Sequence, residues 1–276
     1  MRRRPGPAEM HVVHDGPRDA PPLLLIHGSG ASGASWGPVI PALAARRHVI
    51  RVDLPGCGQS PPPPSYDVPA QAERVADVLD TLGLRRLTVV GHSSGGYVAT
   101  ALAEQRADLV SSLALISTGP SMDAFLGDSI ILRAILTPPL GPLVWRIRSD
   151  SMIRRSIAST CARPVEVPDD AVADLMRTTY GSMRAVLRHN EAYIVERSVP
   201  DRLAGLNLRL LVLFGVADPR WDSASAHQYD AVPDARVELL PDVGHVPMLE
   251  APEAIATLLV NFTAPERSHA RRKTSR

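Results

Sequence analysis

Short apolar runs alternate with helical patterns along most of the chain. The runs are rich in Leu, Val and Ile, and each ends at a polar or glycine-containing turn. They cover Leu23–Ile26, Val49–Val52, Leu87–Val90, Leu113–Ile116, Leu208–Phe214 and Val237–Leu240. Runs of this length and composition are typical of buried strands. The alternation predicts an α/β fold with a mostly parallel sheet flanked by helices.

Helices are predicted between these runs. One covers about residues 69–82, with a proline in its first turn and Gly83 at its end. An Ala-rich helix follows at about 95–105, and a last helix covers about 252–262. One more strand, at about 10–13, is expected ahead of the first apolar run. The pattern therefore accounts for most of the chain outside one long stretch.

That stretch lies between residues 118 and 206. It has helical patterns broken by prolines, no clear strand and many large apolar residues. Because it is too long for a loop in a compact domain, we predict a helical lid inserted after the fourth core strand. Part of its apolar surface is expected to line a substrate cavity. The predicted core is then residues 1–117 and 207–265, and residues 266–276 are expected to be a disordered basic tail.

Composition narrows the function classes. A chain of 276 residues suits one large domain, and a formal net charge of +1 gives no overall attraction to nucleic acid. The two cysteines indicate neither a disulfide framework nor a metal site. No apolar run is long enough to span a membrane, and no signal peptide is recognisable. We expect a cytoplasmic protein that acts on a small molecule without cofactor or metal; the sequence does not indicate its oligomeric state.

The most informative motif is Gly91-His92-Ser93-Ser94-Gly95. A G-x-S-x-G pattern alone arises by chance in roughly one chain in ten of this length. Here it follows a predicted strand and opens a predicted helix, as a nucleophile elbow requires. Such a turn is sharp and strained, so its serine needs small neighbours, which Gly91, Gly95 and Gly96 supply. Ser93 is therefore predicted to be a nucleophile, and a glycine-rich turn without chemistry is the alternative.

A serine hydroxyl is a poor nucleophile without a base. Of the nine histidines, His245 is the best candidate, because its loop follows the last predicted strand. His92 flanks the nucleophile but is expected to point elsewhere. His27 is expected to order the loop after its strand. The predicted base is His245.

The base needs a carboxylate that fixes its tautomer. Asp218 follows the strand predicted at 208–214, and the order Ser, Asp, His is the triad order of one particular serine-hydrolase fold. Asp222 is the alternative, although a helix N-cap before Ser223 suits it better. Asp218 is the predicted partner of the base.

A developing oxyanion needs two aimed N–H groups. Ser94 directly follows the nucleophile and is predicted to supply one. The loop after the first apolar run contains Gly28-Ser29-Gly30 and is predicted to supply the other. Ser29 is the first choice for that second amide and Gly30 the next. A flexible connector without a role in binding is the alternative for this loop.

In this order the motifs resemble the α/β-hydrolase superfamily, in its lid-bearing serine hydrolase branch. Together they extend over nearly the whole chain outside the predicted lid. The matching pieces are His27–Gly30 with Trp36, Asp53–Ser60, Gly91–Gly96, Asp218 and Gly244–Glu250. The resemblance implies the fold of that superfamily and a Ser–Asp–His triad.

Departures from related subfamilies narrow the chemistry. Related dehalogenases and epoxide hydrolases have Asp at the nucleophile position, so Ser93 argues against their reactions. Carbon–carbon bond hydrolases of aromatic-ring degradation are similar in the Gly/Ser-rich oxyanion loop. They usually have Trp after the catalytic histidine, where this chain has Val246, which disfavours that reaction without excluding it.

The expected function is hydrolysis of an ester, thioester or lactone of a fairly apolar substrate through a Ser93 acyl-enzyme. One alternative is a lyase, cyclase or carbon–carbon bond hydrolase that uses the same triad in a biosynthetic or degradative pathway. Another is a non-catalytic binding protein on the same fold, against which the intact triad argues. The substrate itself is not readable, because the predicted lid shapes the pocket.

Overall fold

The computed structural model describes residues 10–127 and 137–264. The basic residues Arg2–Arg4, part of the predicted lid and the predicted basic tail at 266–276 lie outside the described residues. The single chain contains two free cysteines, Cys57 and Cys161.

The described residues form a seven-stranded sheet. Its strands are β1 (Val12–Asp15), β2 (Pro22–Ile26), β3 (His48–Val52), β4 (Leu87–His92), β5 (Val110–Ile116), β6 (Arg209–Gly215) and β7 (Ala235–Leu240). Their order across the sheet is β1-β3-β2-β4-β5-β6-β7. Only β1 is antiparallel, to β3; all other neighbours are parallel. The predicted α/β fold with a mostly parallel sheet is confirmed.

Ten α-helices surround or extend this sheet in the described part of the chain. They are α1 (Ile40–Ala44), α2 (Val68–Thr81), α3 (Ser94–Gln105), α4 (Leu140–Ile147), α5 (Asp150–Ala158), α6 (Asp169–Arg177), α7 (Tyr180–Glu196), α8 (Val199–Leu203), α9 (Pro247–Glu250) and α10 (Pro252–Thr263). Helices α2, α3 and α10 coincide closely with the predicted helices. Gly83, just past α2, has φ +67°, a conformation that suits glycine at a helix end.

Buried side chains lie on both faces of the sheet. In β2, Leu24 and Ile26 belong to one apolar cluster, and Leu23 and Leu25 belong to a second cluster on the opposite face. Alternate side chains of a strand point to opposite faces, so a strand covered on both sides is apolar throughout. This is why the central strands appear in the sequence as unbroken apolar runs.

Between β5 and β6, the regular elements of residues 137–206 are all helices, α4 to α8. Ile153, Val167 and Val172 form a small apolar cluster of their own. Near the end of α7, by contrast, Tyr193 and Ile194 belong to the same apolar cluster as Leu24 and Ile26 of the sheet. The segment therefore has one part with its own core and one part fixed to the sheet domain.

Candidate active site

Ser93 occupies the sharp turn between β4 and α3. Its backbone has φ +51° and ψ −122°, an unusual conformation for a residue with a side chain. Its N–H donates to the Ile116 carbonyl at 2.8 Å, which holds the turn at the end of β5. A Cβ on Gly91 would lie 2.5 Å from the Gly96 Cα, so strand and helix approach closely only with glycine there. The local packing explains the small residues around Ser93.

Two side chains from separate loops form a chain of hydrogen bonds that ends at Ser93. His245 Nε2 lies 3.0 Å from Ser93 Oγ, and His245 Nδ1 lies 2.8 Å from Asp218 Oδ2. Asp218 and His245 are 5% and 6% exposed, so the chain of hydrogen bonds is largely shielded from water. When Nδ1–H donates to the carboxylate, Nε2 is free to accept the serine proton. The three predicted residues are thus brought together.

The second oxygen of Asp218 is also bound. Oδ1 accepts hydrogen bonds from the backbone N–H of Arg220 at 2.8 Å and of Trp221 at 3.3 Å. The alternative carboxylate, Asp222, instead accepts from the Ala224 N–H at 3.0 Å and caps the short 3₁₀ segment that follows. The structure therefore separates an aspartate facing the histidine from one with a capping role.

Two other histidines stabilise the loops of the site. His92 Nε2 lies 2.8 Å from the His245 carbonyl oxygen, away from Ser93. His27 Nε2 accepts from the Leu54 N–H at 2.8 Å, which places its proton on Nδ1, 2.8 Å from the Gly28 carbonyl oxygen. Burial lowers the pKa of His27, so the neutral tautomer required by these two bonds is also the favoured one.

His92 makes the stability of the protein sensitive to acid. Burial, together with the neighbouring His245, lowers its pKa from 6.5 to about 3. Below about pH 6.5 the unfolded chain binds a proton at this histidine, whereas the folded protein binds one there only near pH 3. The free energy of unfolding therefore decreases as the pH falls across this window. We expect His92→Gln, which keeps a donor for the His245 carbonyl, to reduce this loss. Urea unfolding at pH 7.0, 5.5 and 4.5 measures the free energy of unfolding of both proteins. An equal decrease with pH in the wild type and in His92→Gln would contradict this role of His92.

Glu250 holds the loop that contains His245. Its Oε2 accepts from the Gly244 N–H at 2.8 Å and from the Ala162 N–H at 2.7 Å, and its Oε1 accepts from the Val246 N–H at 3.2 Å. The carboxylate therefore binds the residues on both sides of the histidine. It also binds a turn of the inserted segment.

Replacing Glu250 with glutamine should loosen His245. One of the two acceptor oxygens becomes an NH₂ group that faces backbone N–H groups, which we expect to cost about 1–3 kcal/mol in the free energy of unfolding. The value of kcat should also fall, because the loop would hold His245, the predicted base, less firmly in place. Thermal unfolding and steady-state kinetics measure both effects. Glu253→Gln, at an exposed position in α10, is the matched control, and equal behaviour of the two variants would contradict this role of Glu250.

The two amides predicted to bind an oxyanion lie beside Ser93. Ser94 is the first residue of α3, where the helix dipole favours negative charge, and Ser29 lies in the loop after β2. Within residues 10–127 and 137–264, neither backbone N–H has a hydrogen-bond acceptor. Ser29 stays the predicted second donor, with Gly30 in the same loop as the alternative.

A cavity of about 330 Å³ opens above these residues, with Ser29, Ser93 and His245 in its wall. The insertion contributes mostly apolar side chains, including Val144, Trp145, Ile153, Ile157, Leu175 and Leu187. Two charged residues of the insertion, Arg148 and Asp174, also line it. Asp174 Oδ1 binds Arg177, whereas Oδ2 is buried without a partner among the described residues. The cavity is therefore apolar with a polar portion of its wall that the sequence did not reveal.

No cluster of three or more His, Cys, Asp or Glu side chains suited to a metal ion occurs in the described ranges. Among the same residues, none of the helices combines the length and hydrophobicity needed to cross a membrane.

These features define a recognisable class of protein. An open, mostly parallel sheet carries a serine on the β4–α3 turn, with an aspartate after β6 and a histidine after β7, which is the arrangement of the α/β-hydrolase fold. The chain belongs to the alpha/beta hydrolase family, whose model matches residues 23–258.

Individual relatives cover most of the chain. An uncharacterized protein of Mycobacterium tuberculosis is 29% identical over 259 residues, which are 88% of this chain and 75% of the relative. The pimeloyl-[acyl-carrier protein] methyl ester esterase of Aeromonas hydrophila is 28% identical over 247 residues, 88% of this chain and 95% of the esterase. The crystal structure of a membrane phospholipase A, a bacterial virulence factor, is similar with a TM-score of 0.76, 28% identity and coverage of 93% and 86%.

Proposed function

We propose that the protein is a serine hydrolase that cleaves an ester, thioester or lactone of a largely apolar substrate. The observation that carries this proposal is the unbroken chain of hydrogen bonds from Asp218 through His245 to Ser93. This chain of hydrogen bonds ends at Ser93, in the wall of the cavity. Membership of the alpha/beta hydrolase family supports it.

In the proposed reaction, Ser93 Oγ attacks the substrate carbonyl carbon while His245 Nε2 takes the serine proton. The leaving alcohol or thiol receives that proton as the carbon–oxygen or carbon–sulfur bond breaks, which leaves an acyl group on Ser93. His245 then takes a proton from water as the water attacks the acyl carbon. It gives this proton to Ser93 Oγ as the bond between Ser93 and the acyl group breaks, which releases the acid and restores the enzyme. Asp218 stabilises the imidazolium in both steps.

The backbone amides of Ser29 and Ser94 are proposed to bind the oxyanion in each tetrahedral intermediate. Donors aimed at the developing charge stabilise it more than they stabilise the ground state, and each is worth about 3–4 kcal/mol in comparable sites. Both amides lie beside Ser93 without another acceptor in the described part of the chain. They are therefore available to a substrate oxygen.

The cavity and the relatives support the proposed substrate class. Apolar side chains such as Val144, Ile153 and Leu187 favour an acyl group without charge near the reacting carbon. One relative is named as a methyl ester esterase and another as a membrane phospholipase A. Carboxylic esters are accordingly the first substrates to test.

A fluorophosphonate probe tests the proposal directly, because it phosphonylates an activated serine. The wild type should be labelled, and Ser93→Ala should not. A series of p-nitrophenyl esters from acetate to octanoate should then show turnover that depends on chain length. Equal labelling of the two proteins, or an unlabelled wild type without turnover, would refute the proposed function.

A further inference from the structure

The side chains of Ser29 and Ser94 are bonded to each other. Ser29 Oγ donates to Ser94 Oγ at 2.8 Å, although the two residues lie 65 positions apart. These are the residues whose backbone amides are proposed to bind the oxyanion. Their hydroxyls therefore connect the two halves of the proposed oxyanion hole, one on the β2 loop and the other at the start of α3.

A third side chain completes this connection from the inserted segment. Asn190 Nδ2 donates to Ser29 Oγ at 3.3 Å. Ser29 has one hydroxyl proton, which it gives to Ser94, so its oxygen accepts the amide proton of Asn190. The result is a directed chain of hydrogen bonds, Asn190 to Ser29 to Ser94.

Asn190 is held by a helix that is fixed to the sheet domain. One turn further along α7, the Tyr193 hydroxyl donates to Glu104 at 2.9 Å, and its ring lies 6.1 Å from the ring of Tyr97. Near the other end of α7, the Tyr66 hydroxyl donates to Ser182 Oγ at 2.8 Å. Both anchors restrict the movement of the helix. Asn190 therefore contacts the β2 loop from a helix whose position is fixed.

The burial of Asn190 points to a specific role. Its side chain lies on the face of α7 that also carries Met183, Val186 and Ile194, and it is 7% exposed. An amide among apolar neighbours is costly unless it forms hydrogen bonds. Among the described residues, its side chain bonds to Ser29, which lies in the wall of the cavity.

The β2 loop begins at His27, which is held by the Leu54 N–H and the Gly28 carbonyl. The residues after Gly28 form a tight turn. Gly30 has φ +73°, and the turn is closed by a bond of 3.3 Å from the Ala31 N–H to the Gly28 carbonyl. A small shift of this loop would change the direction of the Ser29 amide. Misplacement of about 1 Å can lower a rate by as much as about 10²-fold.

We infer that Asn190 is a positioning residue: through Ser29 and Ser94 it fixes the separation and direction of the two oxyanion-binding amides. This inference rests on the proposed function of those amides. It deepens that proposal, because it makes a helix of the insertion part of the machinery that stabilises the transition state.

The test compares Asn190→Ala, Ser29→Ala and the double variant with the wild type. Each single variant should lower kcat for a p-nitrophenyl ester about tenfold with KM nearly unchanged, since the lost bond orients donors and does not hold the substrate. The double variant should lose little more than either single variant, because both substitutions break one chain. Glu191→Ala, at the next and exposed position of α7, is the control and should behave as wild type.

A trifluoromethyl ketone separates positioning from general damage. Ser93 adds to its carbonyl and His245 takes the proton, which produces a tetrahedral oxyanion bound by the same amides. Its affinity should fall about tenfold in Asn190→Ala, in parallel with kcat. Asn190→Asp, of nearly equal size, should lose more, because a carboxylate offers no proton to Ser29 and competes with Ser94 for the Ser29 proton.

The outcomes distinguish this inference from the proposed function. An inactive, unlabelled wild type refutes the proposed function. When the wild type is active, two results refute the inference alone. In one, Asn190→Ala keeps the kcat and the inhibitor affinity of the wild type; in the other, the effects of Asn190→Ala and Ser29→Ala multiply in the double variant. Unfolding temperatures are measured for every variant, and a fall in kcat that only follows loss of folded protein also refutes it.

Discussion

Replacing Ser93 with glycine is expected to abolish turnover and to stabilise the fold at the same time. The loss of the proposed nucleophile should lower kcat by about 10⁴-fold or more. The gain has a separate origin, the conformation of Ser93 at φ +51° and ψ −122°, which glycine adopts without the strain caused by a Cβ. Relief of that strain, reduced by the greater flexibility of glycine in the unfolded chain, should leave about 1 kcal/mol of net stabilisation.

Ser93→Ala is the matched variant for this prediction. It removes the same hydroxyl but keeps the Cβ, so it should be as inactive as the glycine variant without the gain in stability. Urea unfolding of the three proteins at pH 7 and turnover of a p-nitrophenyl ester measure the two effects. A glycine variant less stable than the alanine variant would mean that the turn stores no strain.

Asp218→Asn is expected to lower kcat by about 10⁴-fold while the geometry of the site is kept. Asparagine has a single side-chain oxygen, and the N–H groups of Arg220 and Trp221 already occupy that position. Its NH₂ group must then face His245 Nδ1, which becomes the acceptor. The proton of the imidazole moves to Nε2, where the base has to accept the proton of Ser93.

Asp222→Asn provides the control for this second prediction. Asparagine is an equally good N-cap, so this variant should retain both activity and stability. Measurement of kcat together with the rate of fluorophosphonate labelling covers both variants. If Asp222→Asn were the inactive one, the wrong aspartate would have been assigned to His245.

The sequence predicts the centre of the site because the carboxyl ends of parallel strands lie along the same side of the sheet. Ser93, Asp218 and His245 each follow a strand, and the carboxyl ends of β4, β6 and β7 lie on the same side of the sheet. Residues far apart along the chain are thus expected to meet. Local signals strengthen this expectation, since the glycines around Ser93 are those that close packing of a strand and a helix requires.

The contributions of the insertion were not predictable in the same way. Asn190 contacts Ser29 across 161 positions, and that pairing depends on how α7 rotates and docks on the sheet domain. The helical pattern does contain a trace of it, a polar residue on a face that otherwise carries Met183 and Val186. Glu250 belongs to a recognised motif, but its contact with Ala162 depends on the path of the inserted segment.

The turn at residues 160–163 limits how the insertion can be exchanged between relatives. It is bound to the histidine loop through the Thr160 carbonyl, which accepts from the His245 N–H at 2.8 Å, and through Glu250, which accepts from the Ala162 N–H. A chimera that replaces the whole segment 118–206 would therefore alter the support of the proposed base along with the shape of the pocket. Grafts that retain residues 157–163 and α7 and exchange the other helices of the insertion should change substrate preference while leaving the proposed hydrolytic machinery intact.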